Sequence, residues 1–410
     1  MDYSAPKGMR DFLPDEAAKR EWAIDAIKRT YRKFGFVPLE TPALETLEVL
    51  EKKCGDEIKG QLFRIDDGKT ALRFELTTSL ARVASSNTFK KPFKRYQVAP
   101  VWRREEPQKG RFREFYQADA DIIGCPTTRA EAELIACACS AISELGFSGA
   151  TVRLNDRRII TALAASLLSG RESAVLRILD KREKIGDGAC VEQLVAAGTK
   201  QKDAQRLVGA ITAAKDNSDA LLVALKYSPE AAVSLREIIA LLKEYGDFDV
   251  KVDLSLVRGL DYYTGAIFEI SLGKEMGSVA GGGRYDNLLS IYGQGDSAAG
   301  ISLGIERLLS LMGARAPAKR GVFVAAAKDE YYNYALQVAA KLRAAGVECQ
   351  TDLNARNLKK QMDYAATCCR FIAVVGEREK KEGNVTLRDL GSGKEEMLSV
   401  EQAIVRASAR

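Results

Sequence analysis

"RYQVAPVWRREEPQKGRFREFYQADADIIG", residues 95–124, holds two strand-like runs, RYQVAPVWRRE and REFYQADADIIG, with a polar, Gly-containing loop between them. Widened to residues 90–115, the stretch sets nine Lys or Arg against three Glu. A bare charge run of that kind is most simply a solvated basic hairpin. Arg103 and Arg113, however, fall on the two flanking strands, where the direction of a side chain is fixed.

Arginine forks on a rigid sheet can grip phosphate oxygens bidentately. Glu105 beside them can accept from an exocyclic amine such as adenine offers. Other stretches add to this chemistry. In "GISLGIERLL", Gly300 and Gly304 precede a helix that carries Glu306 and Arg307, and an arginine near a helix start suits a polyphosphate. Taken alone, that glycine spacing means only close packing. "LRFELTT" supplies Glu75 and Thr77 at a strand end, which alone would read as a cap or a surface pair. "RGLDYYTGAIFEI", residues 258–270, sets Arg258, Asp261, Tyr262 and Tyr263 before an alternating strand entered through Gly265. Such charges need partners or a ligand to offset the loss of water.

A chain of 410 residues, 46% hydrophobic, can bury a large core and divides into two or three domains. The formal net charge of +6 permits an anionic partner without requiring one. No apolar run approaches the length of a membrane span, and the start MDYSAPKGMRDFLPDE has no apolar signal region, so we expect a cytoplasmic protein with no membrane partner. Of the eight cysteines none forms a CxxC pair, which reads as reduced, structural thiols. Histidine is absent altogether. That excludes imidazole-based nucleophilic catalysis, removes the commonest metal ligand, and leaves no metal site to expect. Any catalysis must work by positioning, by fixed charge or through the substrate's own groups.

Along the chain, residues 15–34 have the spacing of an amphipathic helix. FVPLETPALE is an extended segment interrupted by prolines, and QLFRIDDGKTALRFEL looks like a hairpin around Asp67-Gly68. From about 158 to 245 the texture turns helical, as in an insertion. A short Pro- and Lys/Arg-containing linker, MGARAPAKRG, then leads to GVFVAAA, VECQTDL, RFIAVVG and NVTLRDL. These short strands predict a small α/β domain with a mostly parallel sheet.

Together the pieces resemble the class II aminoacyl-tRNA synthetases and, within them, the histidyl-tRNA synthetase family, over nearly the whole chain. FVPLETPALE is similar to motif 1, which builds the dimer interface. VWRREEP…GRFREF is similar to motif 2, and GISLGIERLL to motif 3. LVRGLDYYTGAIFE and GGGRYDNLL resemble the histidine-specific signatures, and the end of the chain resembles an anticodon-binding domain. Phe74 and Glu106 depart from the proline and arginine common in bacterial members, and Asp121 is like the archaeal and eukaryotic pattern.

The resemblance implies an α+β fold: a class II antiparallel-sheet catalytic core over residues 1–320, with the helical insertion, followed by an anticodon-binding α/β domain over 321–410. It implies a homodimeric ligase that uses ATP with Mg²⁺ to make histidyl-adenylate and charges the 3′ end of tRNA(His). It assigns histidine binding to Glu75, Leu76, Thr77, Arg103, Gln117, Asp121, Arg258, Tyr262, Tyr263 and Tyr285, with Asp121 pairing to the imidazole. It assigns ATP to Arg103, Glu105, Arg111, Arg113 and Arg307, and the catalytic charge to Arg258 and Arg103. The alternative is a non-catalytic, histidine-sensing regulatory paralogue of ATP phosphoribosyltransferase, which generally lacks the last domain and erodes the phosphate-binding arginines. Threonine, proline or glycine enzymes of the class would share the last domain but lack RGLDYYTG.

Overall fold

The computed structural model describes residues 3–52, 56–108, 110–167, 172–257, 262–273, 277–293, 295–313 and 319–408. The chain divides into two compact units, Met1–Arg315 and Ala316–Arg410. In the first, the strands in chain order are β1 (Val37–Pro38), β2 (Leu44–Thr46), β3 (Thr70–Leu72), β4 (Phe93–Trp102) and β5 (Glu114–Ile123). They continue with β6 (Ala150–Asp156), β7 (Asp249–Val252), β8 (Ala266–Leu272), β9 (Ser278–Arg284) and β10 (Ala298–Gly304). All but β2 and β3 join one sheet in the order β1-β4-β5-β10-β9-β8-β6-β7, antiparallel throughout except at its two edges. β2 and β3 form a separate antiparallel pair.

The period-2 alternation of β5 decides which way this sheet faces. Ala118, Ala120 and Ile122 pack into the helical layer, so Gln117, Asp119 and Asp121 point to the opposite face. The helical layer contains Pro14–Lys33, Arg129–Glu144 and Pro229–Tyr245. Pro14 occupies the first turn of its helix, where the missing N–H costs nothing, with Asp15 and Glu16 near the positive end and Arg32 and Lys33 near the negative end. That helix buries Ala23, Ala26, Ile27 and Tyr31, and the Tyr31 hydroxyl donates to the Ala118 carbonyl at 2.9 Å. The described part of residues 157–245 is helical wherever it forms regular structure.

Asp67 accepts from the backbone of Lys69 and Thr70 at 2.8 and 2.9 Å, which turns the chain near Gly68. The two arms pair around the bridge Arg64–Ala71, Ile65 N–H donating to the Thr70 carbonyl at 3.0 Å and Leu72 N–H to the Phe63 carbonyl at 2.9 Å. The expected hairpin is therefore present but short, and the other edge of β3 pairs with β2.

The second unit holds β11 (Val322–Ala326), β12 (Cys349–Thr351), β13 (Phe371–Val375), β14 (Asn384–Asp389) and β15 (Glu395–Ser399), in the order β12-β11-β13-β14-β15. β11 is buried on both faces: Val322 and Val324 pack with the helix Tyr332–Ala344, while Phe323 and Ala325 pack with Leu358–Cys368. The sheet is only half parallel. β12-β11-β13 are parallel, whereas β13-β14-β15 are antiparallel. The short connections from Val375 to Asn384 and from Asp389 to Glu395 explain the departure, because a parallel crossover needs a dozen or more residues.

Candidate active site

Cross-strand register places polar residues in rungs across the sheet face opposite the helical layer. Asp121 lies opposite Arg95 on β4 and Gly300 on β10. Asp119 lies opposite Gln97 and Ser302, and Gln117 opposite Ala99 and Gly304. At Gly300 any Cβ would sit 2.1 Å from Asp121 Oδ1, so only glycine lets that carboxylate lie flat on the sheet.

Over these rungs opens a cavity of about 460 Å³, lined by Glu75, Thr77, Arg103, Gln117, Asp119, Asp121, Tyr262, Tyr263 and Tyr285 among others. Asp180 and Lys184, from the helical stretch, also reach its wall. Beside it lies a second cavity of about 270 Å³, lined by Glu105, Arg111, Phe112, Phe115, Glu306 and Arg307. Arg103, Arg111, Gln117, Gly281 and Ser302 line both, so the two spaces meet at an arginine pair.

The electrostatics of the floor follow from burial. Asp121 is 2% exposed, pairs with Arg95 at 2.8 Å and accepts from the Tyr285 hydroxyl. Burial raises its carboxyl above the usual range, while Arg95 and Tyr285 pull the other way. Asp119 is pushed up to about 7, first by burial and then by the neighbouring Asp121. Tyr285 is raised well above the ordinary phenol value by burial and by Asp121, so it remains a donor. Burial lowers Arg103, yet a guanidinium so far above neutrality keeps its charge. Glu306, which accepts the Tyr116 N–H at 2.9 Å, is pushed up to about 7 by burial.

Most of the expected residues converge here. Glu75 accepts from the backbone of Thr78 at 2.9 Å and from that of Thr77, so it both caps a helix and faces the cavity. Leu76 is fully buried in an apolar cluster with Ala99 and Val101, which leaves only its backbone to a ligand. Arg307 donates to the Ser278 carbonyl and lines the smaller cavity with Glu105 and Arg111. Arg103 and Arg113 are bound by a backbone hydrogen bond of 2.8 Å, but both stand one residue beyond the strand ends expected to carry them. Arg113 lines neither cavity. Its Nε donates to the Glu105 carbonyl at 2.9 Å and its Nη2 lies 3.6 Å from Glu106, so it braces the loop. Arg258 and Asp261 lie outside the described residues.

Three participants lie outside the set that the sequence singles out. Asp119 sits between Gln117 and Asp121, and the period of two that puts all three on one face is the signal for it. Arg95 reads as one cation of a basic run, yet it is completely buried. Ser302 carries no local signal at all.

The comparisons with known proteins agree over the full length. Residues 8–308 match the family model for histidyl-tRNA synthetase, and residues 321–409 match that for an anticodon binding domain. The chain is 37% identical to a histidine--tRNA ligase of Korarchaeum cryptofilum, covering 94% of this chain and 95% of that one. It is 34% identical to a histidine--tRNA ligase of Cytophaga hutchinsonii, covering 98% of each. The histidyl-tRNA synthetase structure from a Nostoc species superposes with a TM-score of 0.85 at 28% identity, covering 99% of each chain. Family model, relatives and fold coincide on one answer: the chain belongs to the histidyl-tRNA synthetase family.

Proposed function

We propose that the two adjoining cavities take histidine and ATP, join them as histidyl-adenylate, and pass the histidyl group to the 3′ end of tRNA(His). The observation that carries this reading is Arg103 on the shared wall of both spaces. A cation there faces the carboxylate of one substrate and the α-phosphate of the other.

The larger cavity takes histidine. Asp121 accepts an imidazole N–H, and Tyr262, Tyr263 and Tyr285 enclose the ring. Glu75, Thr77 and the carbonyl oxygen of Gln117 receive the α-ammonium. The smaller cavity takes ATP: Phe112 and Phe115 supply apolar faces, Glu105 an acceptor for the adenine amine, and Arg111 and Arg307 positive charge for phosphates. Mg²⁺ enters with ATP as part of the substrate. Arg113 acts on ATP only by holding the Glu105 loop.

No protein base is required. The histidine carboxylate is already ionised and attacks the α-phosphorus, with pyrophosphate leaving. What remains is alignment and stabilisation of the developing charge, which Arg103 supplies together with Arg258. In the transfer step a phosphate oxygen of the adenylate can take the proton of the ribose hydroxyl.

Residues 321–410 are read as the anticodon-binding domain and residues 1–320 as the catalytic domain. A homodimer is proposed through the FVPLETPALE segment, where Val37 and Leu44 are 48% and 47% exposed at a sheet edge and in the small pair beside it. A cytoplasmic location is proposed, and among the described residues no helix is long and apolar enough to cross a membrane. The decisive test is ATP–pyrophosphate exchange with each of the twenty amino acids, followed by charging of tRNA(His). Histidine alone should support strong exchange; equal exchange with threonine or proline would refute the assignment.

A further inference from the structure

The rung one step from Asp121 carries a hydrogen-bonded relay. Arg103 Nη2 donates to Gln117 Oε1 at 3.5 Å, and Gln117 Nε2 donates to Ser302 Oγ at 2.6 Å. Ser302 lies directly opposite Asp119 on the β5–β10 ladder, and its hydroxyl holds the Asp119 carboxyl down. On the other side Gln97, opposite Asp119, is turned toward Thr41, with Nε2 to Oγ1 at 3.2 Å. Asp119 is 3% exposed, lines the cavity, and its Oδ1 has no hydrogen-bond partner among the described residues. A buried carboxylate oxygen without a donor is costly for folding alone.

We propose that Asp119, acting through Ser302, fixes the orientation of the Gln117 amide so that its carbonyl oxygen faces the substrate's α-ammonium. This makes Asp119 and Ser302 positioning residues, and it rests on the function proposed above. A serine hydroxyl has one proton to give. While Asp119 is ionised, that proton goes to the carboxylate, so Ser302 can only accept from the Gln117 NH₂, and the amide oxygen is left facing Arg103 and the cavity. Once Asp119 is protonated it can itself donate to Ser302. The hydroxyl proton is then free to bond the Gln117 oxygen, and the flipped amide presents its NH₂ to a cation.

The charges around Asp119 place this switch in the working range. Burial, Asp121 and Glu75 push its carboxyl up, Arg95 and Ser302 oppose them, and the net result is about 7. Arg103 and Arg73 also feel its charge, the Tyr31 phenol acts from the helical layer, and Glu269 lies on the same cavity wall. The pKa is raised, and the competent form is the ionised one. Histidine capture is therefore half-maximal near 7, strongest well above it, and weakens as pH falls through that value.

The test is KM for histidine in pyrophosphate exchange for Asp119→Asn, Ser302→Ala and Ser302→Thr, each divided by the wild-type value so that the titration of free histidine cancels. At about pH 8.5 the first two should raise KM roughly tenfold, with a smaller effect on kcat, and at about pH 6 the ratio should fall toward one. Ser302→Thr keeps the hydroxyl and should stay near one at both. A ratio independent of pH, or a threonine variant as poor as the alanine, overturns the proposal. If Asp119→Asn does not fold, Ser302→Ala carries the same link. Wild-type protein without histidine-dependent exchange would instead sink the proposed function, and this inference with it.

Discussion

Arg95 reaches Asp121 across the β4–β5 pair, Nη2 to Oδ2 at 2.8 Å, and the two side chains are 0% and 2% exposed. Removing one member of a sealed ion pair costs far more than removing both, because it strands the other charge.

Arg95→Met should therefore destabilise the protein by about 3–5 kcal/mol in urea unfolding. It should also weaken histidine binding, since Asp121 without its counter-charge is harder to ionise. Arg95→Met combined with Asp121→Asn should recover most of the stability but not the binding. If the double variant is as unstable as the single one, the pair is not the source of the loss.

Glu306 supplies a pH signature. Its folded value of about 7 lies above the ordinary 4.5, so its stabilising contribution is full below about 4.5 and is lost as pH rises through 7. A glutamine at this position could still accept the Tyr116 N–H without ionising. Glu306→Gln should therefore equal wild type near pH 5 and exceed it by about 1–3 kcal/mol near pH 8. Urea midpoints at the two pH values read this directly, and parallel curves would contradict it. Because Glu306 lines the smaller cavity, the gain in stability should come with a loss of activity.

Arg103→Lys keeps a charge but loses the fork that faces both cavities. The pyrophosphate exchange rate should fall roughly 10²-fold, with KM for histidine changing much less. A change in KM alone would make Arg103 a ground-state anchor.

Truncation at residue 320 removes the second compact unit. Pyrophosphate exchange should largely survive while tRNA charging collapses. Loss of both would show that the removed residues are needed for folding or assembly of the rest.

Much of this is legible in the chain itself. Local spacing is enough to mark Pro14–Lys33 as a helix, because its apolar period repeats within one element and its end charges match the dipole. The strand alternation around Gln117 and Asp121, and the glycine-bounded motif leading to Arg307, are likewise properties of contiguous residues. What the sequence does not decide is everything set by register. Arg95, Asp119 and Ser302 belong to three strands, and Ser302 lies far along the chain from the other two. Only the hydrogen-bonded ladder makes them neighbours. Arg113 shows the converse: its chemistry suits a phosphate, but the chain joins the sheet only at the next residue, and its guanidinium turns onto the Glu105 carbonyl. A residue's kind and period fix its face; the partner strand's register fixes what it meets there.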